Sequence, residues 1–519
     1  MMLIDYIDRG ADTAPDAPCL LDPDGSTAMT HAQFRVLTHR IAGALIRDGV
    51  RPGDRIGVLS SNHALTFALV IGILRAGAVW TAINVTSGSA DQADFLGMVG
   101  CRRIICHRDF AGRAAELEQR IVIRDPALVF GPERDGGLAF TEWLASQDFR
   151  APEPAFEPER VAMLLPTGGT TGRSKAVPIT DRQIHLMCLA FQIHLREPAP
   201  PRYICATPMT HAAGLVCLPV LAQGGAVIVH NGVLPEQVLG SIERNRASAI
   251  FLPPTALYKL LATPGVREYD YSSLQQLLIA GAPLAPERLA EAVEVFGPVL
   301  TQTFGQAEAP LICTVHEASE VAAAAADPSL GHRLASCGRP SAIARVEIMD
   351  DDGNLLGPRH SGEIVVRSEL VFDGYWQDPA ATASTRRPGG WYGTGDVGVR
   401  DDEGFVYIVD RKKDMIITGG FNVFPSEVEA YLHTFPAVDD CAVIGLPDPK
   451  WGETVTAVIE TKPGSHLDEQ ALIEACKAHL GPVKAPKNII VRDLPRSGVG
   501  KVLKRELREE YWATSTRRI

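Results

Sequence analysis

Short apolar runs alternate with amphipathic stretches over the first three hundred residues, and this limits the fold more than any other feature. Runs at 55–59, 78–85 and 103–106 are strand-like, while 31–46 has apolar residues at helical spacing and 66–75 reads as a buried helix. The pattern returns with strands at 203–207, 226–229, 249–252 and 276–279, parted by helical segments such as 235–245 and 286–296. Strands that alternate with helices predict α/β architecture, with parallel sheets carrying helices on their faces. Two such layers are expected, one after the other.

From about Gly338 the texture changes. Residues 344–349, 362–367 and 404–409 alternate apolar and polar, and Asp352-Gly353 and Glu403-Gly404 supply turns. This predicts a small antiparallel β region, a β-barrel in outline. The alanine-rich piece 321–326 reads as a helix or a loose connector. Arg411-Lys412-Lys413-Asp414 forms a charged break, followed by a compact α+β unit: helix 425–434, strands 440–445 and 454–461, helix 468–480. A chain of 519 residues is too long for one ordinary core. The expected division is therefore a large domain over 1–410, a hinge at 411–413 and a small mobile domain over 414–519.

Composition narrows the function classes. The formal net charge of −12 disfavours a nucleic-acid partner. Lys501, Lys504 and Arg505 near the end are interleaved with Glu506, Glu509 and Glu510, as on an amphipathic helix. Ten cysteines include no Cys-x-x-Cys, which argues against a zinc ribbon or redox motif and fits a reducing, cytoplasmic setting. The N-terminus lacks the basic and apolar regions of a signal peptide. The longest apolar stretch, 63–85, is interrupted by Arg75 and Asn84 and reads as helix then strand, so no integral membrane contact is expected. Monomer and homodimer both stay open.

One loop stands out chemically. Leu164 to Thr180 reads LLPTGGTTGRSKAVPIT. Glycines let a ligand approach the backbone, successive N–H groups make an anion cradle, and Lys175 adds a charge for phosphate oxygens. It is not a Walker A loop: with four residues intervening, Gly168 is followed by Arg173 and Gly169 by Ser174, where Gly is required.

Three further stretches complete a set: TFGQAEA at 303–309, YGTGD at 392–396 with DRKKDMIITGGFNVFPSEVE at 410–429, and PRSGVGK at 495–501. In order and spacing they resemble the adenylate-forming superfamily of acyl-CoA synthetases, peptide-synthetase adenylation domains and firefly-type luciferases, over essentially the whole chain. The resemblance implies that a carboxylate joins the α-phosphate of ATP, releasing pyrophosphate, and that a thiol then attacks the acyl adenylate. ATP, Mg2+ and coenzyme A are the implied co-substrates and cofactor. Thr167, Gly168, Gly169, Thr170, Thr171, Gly172 and Lys175 match the loop that embraces the β- and γ-phosphates. Gly281, Ala282 and Pro283 match the adenine side, with Gln302, Thr303, Phe304 and Gly305 packing on the base. Glu308 matches the magnesium ligand, Asp396 the ribose carboxylate and Arg411 a ribose and phosphate contact. Lys413 sits at the hinge. Lys501 matches the lysine that bridges the substrate carboxylate and the α-phosphate, and with His211, Thr170 and Lys175 makes the implied catalytic set. Departures from the family pattern are Ser174 for a usual Pro, Ala176 for a common Gly, and Ala307 for a usual Thr.

Acid and acceptor are less sharply marked. ATPMTHAAGL, 206–215, resembles the segment beside the acyl pocket, which would be walled by His211, Ala212, Ala280 and Ala309. No acidic residue stands in PMTHAAG or FLPP to hold an amine, and a buried ammonium without a partner is costly. The expected acid is therefore a fatty, aryl or alicyclic carboxylate without an α-amino group. Gly419 and Gly420 resemble the loop lining the pantetheine tunnel, and Trp451 and Lys487, with Lys484, are candidate contacts for coenzyme A. Val483 stands where an aromatic is common. The expected activity is an AMP-forming acid:CoA ligase. A ligase loading a carrier-protein phosphopantetheine and a catalytically silent nucleotide binder are the alternatives.

Overall fold

The computed structural model describes residues 1–131, 133, 136–145, 154–167, 175–195, 200–412, 414–462, 464–496 and 502–512. The chain divides into two compact units. The first comprises Met1–Val346, Val366–Tyr392 and Asp402–Val406; the second comprises Glu347–Val365, Gly393–Asp401 and Tyr407–Ile519.

The first unit contains the two expected α/β layers. The larger sheet has nine strands, in the order Arg339–Pro340, Ala309–His316, Leu300–Gln306, Gln276–Ile279, Ala249–Leu252, Arg202–Cys205, Ala226–Val229, Pro18–Leu21 and Thr27–Thr30. Pairing is parallel from Leu300–Gln306 through Pro18–Leu21 and antiparallel at both edges. The smaller sheet orders Leu128–Phe130, Cys101–His107, Arg55–Leu59, Val79–Ala82, Val161–Thr167 and Lys175–Thr180. Only its last pair is antiparallel. The central strands are short and buried throughout because helices cover both faces. Helix starts are marked in the residues. Pro235 and Pro286 open Pro235–Asn245 and Pro286–Phe296, where a missing N–H costs nothing. Thr180 and Gln183 close a capping box on Asp181–His194, fixing how the chain leaves Lys175–Thr180.

The region after Gly338 forms a five-stranded sheet of Arg345–Met349, Ser361–Arg367, Trp391–Arg400, Arg386–Arg387 and Val406–Arg411. Two expectations need correction here. The strand placed at 404–409 begins at Val406, after the Glu403-Gly404 turn, and continues to Arg411. Arg411 is therefore the end of a strand rather than the start of a break. The alanine-rich piece is a helix, Ala318–Ala326.

In the second unit, Val438–Asp448 and Gly452–Thr461 form a long antiparallel pair, extended by Ile416–Thr418, Phe421–Val423 and Asn488–Val491. Period-two alternation covers both faces. Cys441 and Val443 pack with Val428, Leu432 and Leu472 of helices Pro425–Leu432 and Glu469–Lys484. Ala442 and Ile444 pack with Leu507 of helix Lys504–Trp512. That last helix is also held by an ion pair of 2.7 Å between Lys504 and Glu429. Burial disfavours the Lys504 ammonium, but the carboxylates of Glu429 and Asp410 outweigh it and raise its pKa. Glu429→Gln would remove the carboxylate that pairs with this ammonium and leave Asp410, and is expected to cost about 1.5–3 kcal/mol. Urea unfolding followed by far-UV circular dichroism measures it; the double variant with Lys504→Met should recover much of the loss. Among the described residues no helix is long and apolar enough to cross a membrane.

Candidate functional site

In the first unit the parallel strands of the larger sheet end along one edge, where open α/β sheets take their ligands. Cys205 leads into Ala206–His211, Leu252 into Pro253 and Pro254, and Ile279 into Ala280–Pro283. Ile279 pairs with Gln302, so Ala280–Pro283 and Gln302–Gly305 follow neighbouring positions of adjacent strands. The topology thus brings together the segments assigned to the acyl pocket and the adenine side. Gly281 has φ of +94°, which favours glycine. Gln302 and Thr303 are buried, yet Gln302 Nε2 and Thr303 Oγ1 have no hydrogen-bond partner in the protein; Thr207 Oγ1 is in the same position. Buried polar groups are ordinarily paired, so three orphans at this edge fit a polar ligand. Phe304 is nearly buried, and a Cβ on Gly305 would fall 2.6 Å from the Leu311 backbone.

Two antiparallel hairpins carry the expected phosphate and metal residues. Val161–Thr167 pairs with Lys175–Thr180, with Thr167 opposite Lys175. The ladder therefore pins both ends of the glycine-rich loop; Gly168 to Ser174, including Thr170, lie outside the described residues. The second hairpin closes at Gln306 opposite Ala309, leaving Ala307 and Glu308 as its turn. Glu308 is buried despite this position. Its backbone carbonyl accepts from Phe372 N–H at 2.8 Å, and its Oε1 accepts from the Tyr375 hydroxyl at 2.7 Å.

Tyr375 connects the two hairpins, and no motif in the sequence pointed to it. Lys175 Nζ lies 4.5 Å from its ring centroid while its hydroxyl binds Glu308. Trp376 N–H donates to Ala176 O at 2.9 Å, and Phe372 meets Tyr375 edge-on at 4.9 Å. Burial, then the Glu308 charge, pushes the Tyr375 hydroxyl well above its ordinary pKa, so it stays a donor. Tyr392 makes a parallel link, donating to Gln306 Oε1 at 2.7 Å. Tyr375→Phe keeps the ring under Lys175 and removes only the hydroxyl. A hydrogen bond to a charged group contributes about 1.5–3 kcal/mol. The expected result is a roughly ten- to hundredfold fall in kcat/KM for magnesium-ATP with the KM for acid unchanged, read from initial rates.

His211 precedes the buried helix Ala212–Ala222 as its N-cap. Burial pushes its imidazole down to about 4, and the positive helix end acts in the same sense. It is neutral at pH 7. Ala212 is partly exposed, whereas Ala280 and Ala309 are buried.

In the second unit Asp396 is buried, and Arg411 Nε lies 3.2 Å from its Oδ1. The strand Trp391–Arg400 that carries it is held there by Gly395 N–H donating to Glu363 at 3.1 Å and by Lys412 N–H donating to Gly395 O at 2.9 Å. Gly419 and Gly420, with φ of +57° and +83°, form the two-residue turn between Ile416–Thr418 and Phe421–Val423. Trp451 is half exposed and lies against this turn. Gly419 N–H donates to Trp451 O at 2.8 Å, and a Cβ on Gly419 would come within 2.8 Å of the indole. Lys487 donates to Ala485 O at 3.1 Å and to Pro482 O, and Lys484 pairs with Glu427 at 2.6 Å. Both lysines thus already have protein partners. Lys413 and Lys501 lie outside the described residues. The loop carrying Lys501 is closed at its base by a bridge between Arg496 and Val502.

Comparison with known proteins adds a second line. Residues 7–376 match the model of the AMP-binding enzyme family, and 427–501 match that of the AMP-binding enzyme C-terminal domain. The chain is 36% identical over 511 residues to the medium/long-chain-fatty-acid–CoA ligase FadD8 of Mycobacterium tuberculosis, covering 95% of this chain and 88% of that protein. It is 35% identical over 490 residues to a feruloyl-CoA synthase of Amycolatopsis, covering 94% and 95% respectively. Among solved structures, the amide bond synthetase McbA of Marinactinospora thermotolerans superposes with a TM-score of 0.86 at 30% identity, covering 98% of this chain and all of that one.

Proposed function

Because the chain belongs to the AMP-binding enzyme family, we propose that it is an AMP-forming acid:CoA ligase. It activates a carboxylic acid without an α-amino group as an acyl adenylate, releases pyrophosphate and passes the acyl group to coenzyme A. The observation that carries this reading is the Lys175–Tyr375–Glu308 cluster, a cation and a buried carboxylate held on one ring beside a strand edge with unpaired polar atoms.

The roles follow from the chemistry of each group. Thr167, Lys175 and the loop between them hold the β- and γ-phosphates. Gln302 and Thr303 supply the unpaired polar atoms for the base, and Gly281–Pro283 and Phe304 its walls. Asp396, an ionised carboxylate with two acceptor oxygens, takes the ribose hydroxyls, with Arg411 beside it. Glu308 suits Mg2+. It offers hard oxygen, and no cluster of three metal-ligating side chains occurs among the described residues, so phosphates and water would complete the shell. When bound, the ion neutralises phosphate charge. Neutral His211 borders the acyl carbonyl without adding a second cation. Lys501 stabilises charge on the α-phosphate as the adenylate forms, and Lys413 is the hinge between residues 1–410 and 414–519.

The acid class is supported by what the pocket segments lack. Neither Pro208–Gly214 nor Phe251–Pro254 has a carboxylate for an ammonium group, and the fatty and feruloyl relatives are named for such acids. Trp451 and the Gly419-Gly420 turn are the acceptor surface for pantetheine. Among the described residues the ten cysteines form no disulfide and nine are buried, which fits a cytoplasmic setting. Acid-dependent exchange of labelled pyrophosphate into ATP tests the first half-reaction. Exchange with fatty or aryl acids and none with amino acids is the expected outcome; exchange driven by amino acids alone would overturn the substrate class.

A further inference from the structure

Asn62 lies just past the strand Arg55–Leu59 of the smaller sheet and before the helix Ala64–Arg75. Its side chain reaches the carboxyl edge of the larger sheet, within the same unit. Asn62 Nδ2 donates to Thr207 O at 2.8 Å, to His230 O at 3.0 Å and, through a bifurcated N–H, to Cys205 O at 3.3 Å. Asn62 Oδ1 accepts from Met209 N–H at 2.8 Å. One amide thereby serves four backbone groups, on the ends of two adjacent parallel strands and on the loop between Cys205 and His211.

Those four backbone groups belong to buried residues. A buried loop must satisfy its N–H and C=O groups, and this loop has no ladder to do so. Its placement is also tight. His211 N–H donates to Pro208 O at 3.0 Å, and Gly214 approaches Met209 O so closely that a Cβ there would fall 2.0 Å away. The loop therefore seats the first turn of the helix behind His211, and Asn62 seats the loop. No other side chain of this size combines two donors with an acceptor. Aspartate has the same shape but would put a carboxylate against three carbonyl oxygens.

We infer that Asn62 is a positioning residue for the acid subsite, acting through the 206–211 loop to set His211 and the adjoining pocket wall. This rests on the acid-ligase reading for the role of His211, but the hydrogen-bond set itself does not. Displacement of a reacting group by about 1 Å lowers rate about a hundredfold. Asn62→Ala is thus expected to lower kcat/KM for the acid by that order while the KM for ATP stays within about twofold.

The test uses the full chain and two readouts. Steady-state kinetics with acid and ATP varied separately give the split in KM. Hydrogen–deuterium exchange of the 205–215 segment reports the loop whether or not a substrate is known. Leu239→Ala, in the core helix Pro235–Asn245, is the control for lost stability alone, and should show neither the split nor local exchange. Asn62→Ser, which keeps one hydroxyl, carries the test should the alanine variant not fold. Faster exchange confined to 205–215, with loss specific to the acid, is the expected result. Unchanged exchange in that segment overturns the inference, as does a parallel rise in both KM values. Local exchange in a protein inactive with every acid would keep the positioning role and discard the ligase reading.

Discussion

Lys501→Ala is expected to lower adenylate formation about 10²–10³-fold while leaving thioester formation from preformed acyl adenylate within a few fold of wild type. The asymmetry follows from where charge develops. In the first half-reaction a carboxylate attacks an anionic phosphate, so a cation between them is needed most in the transition state. In the second the adenylate is already made, and a thiol displaces AMP. Lys501 follows Ser497-Gly498-Val499-Gly500, and the loop base is held by the Arg496–Val502 bridge and by Leu503 N–H donating to Pro495 O at 2.8 Å. Arg496 is itself fixed by Asp440 at 2.7 Å and Glu460 at 2.6 Å. The substitution therefore removes a side-chain tip without loosening the loop base. Single-turnover quench with labelled ATP, and separately with isolated adenylate plus coenzyme A, measures the two steps. Equal losses in both would remove Lys501 from this role.

Glu308→Gln is expected to reduce adenylation about a hundredfold and to raise the Mg2+ concentration needed for half-maximal exchange. The amide oxygen can still accept from Tyr375, so the hairpin turn and the Lys175 ring contact stay in place. What is lost is the charge. A hard divalent cation held by one protein carboxylate and by phosphates is sensitive to that charge. Pyrophosphate exchange titrated with MgCl2 checks the shift. A magnesium titration superimposable on wild type would show that Glu308 does not hold the ion. Because Tyr375→Phe spares the charge and Glu308→Gln spares the acceptor, the pair separates positioning from electrostatics.

Much of the fold was legible because its signals are local. Prolines at 235 and 286 mark helix starts at the residues where the helices begin, and the run at 276–279 is a strand with the same ends. The edge hairpins were less visible. Nothing in Val161–Thr167 says that its partner returns antiparallel, since strand direction is set by the connection and not by composition. Arg411 was misplaced because a run of charges resembles a linker, whereas its backbone still pairs in a strand.

The candidate site divides in the same way. Lys175, Glu308 and Asp396 stand in motifs whose spacing carries chemistry. Tyr375 acts on Glu308 from 67 positions away, and Asn62 on Thr207 from 145, so neither has a local pattern to betray it. Each is an ordinary loop polar residue until the sheets bring its partners within reach. Lys487 illustrates the converse. The sequence makes it a candidate contact for coenzyme A, while no local pattern shows that its ammonium donates to carbonyls at the end of the preceding helix, Glu469–Lys484.

This chain makes a coenzyme A thioester through an acyl adenylate. Mass spectrometry of one reaction tests it most directly: purified protein, magnesium-ATP, coenzyme A and a pooled set of fatty, aryl and alicyclic acids. New masses for acyl-AMP and the matching acyl-CoA, both dependent on ATP, are predicted. Acyl adenylates that persist with no thioester would contradict coenzyme A as the acceptor, and ATP left intact with every acid would contradict the activity itself.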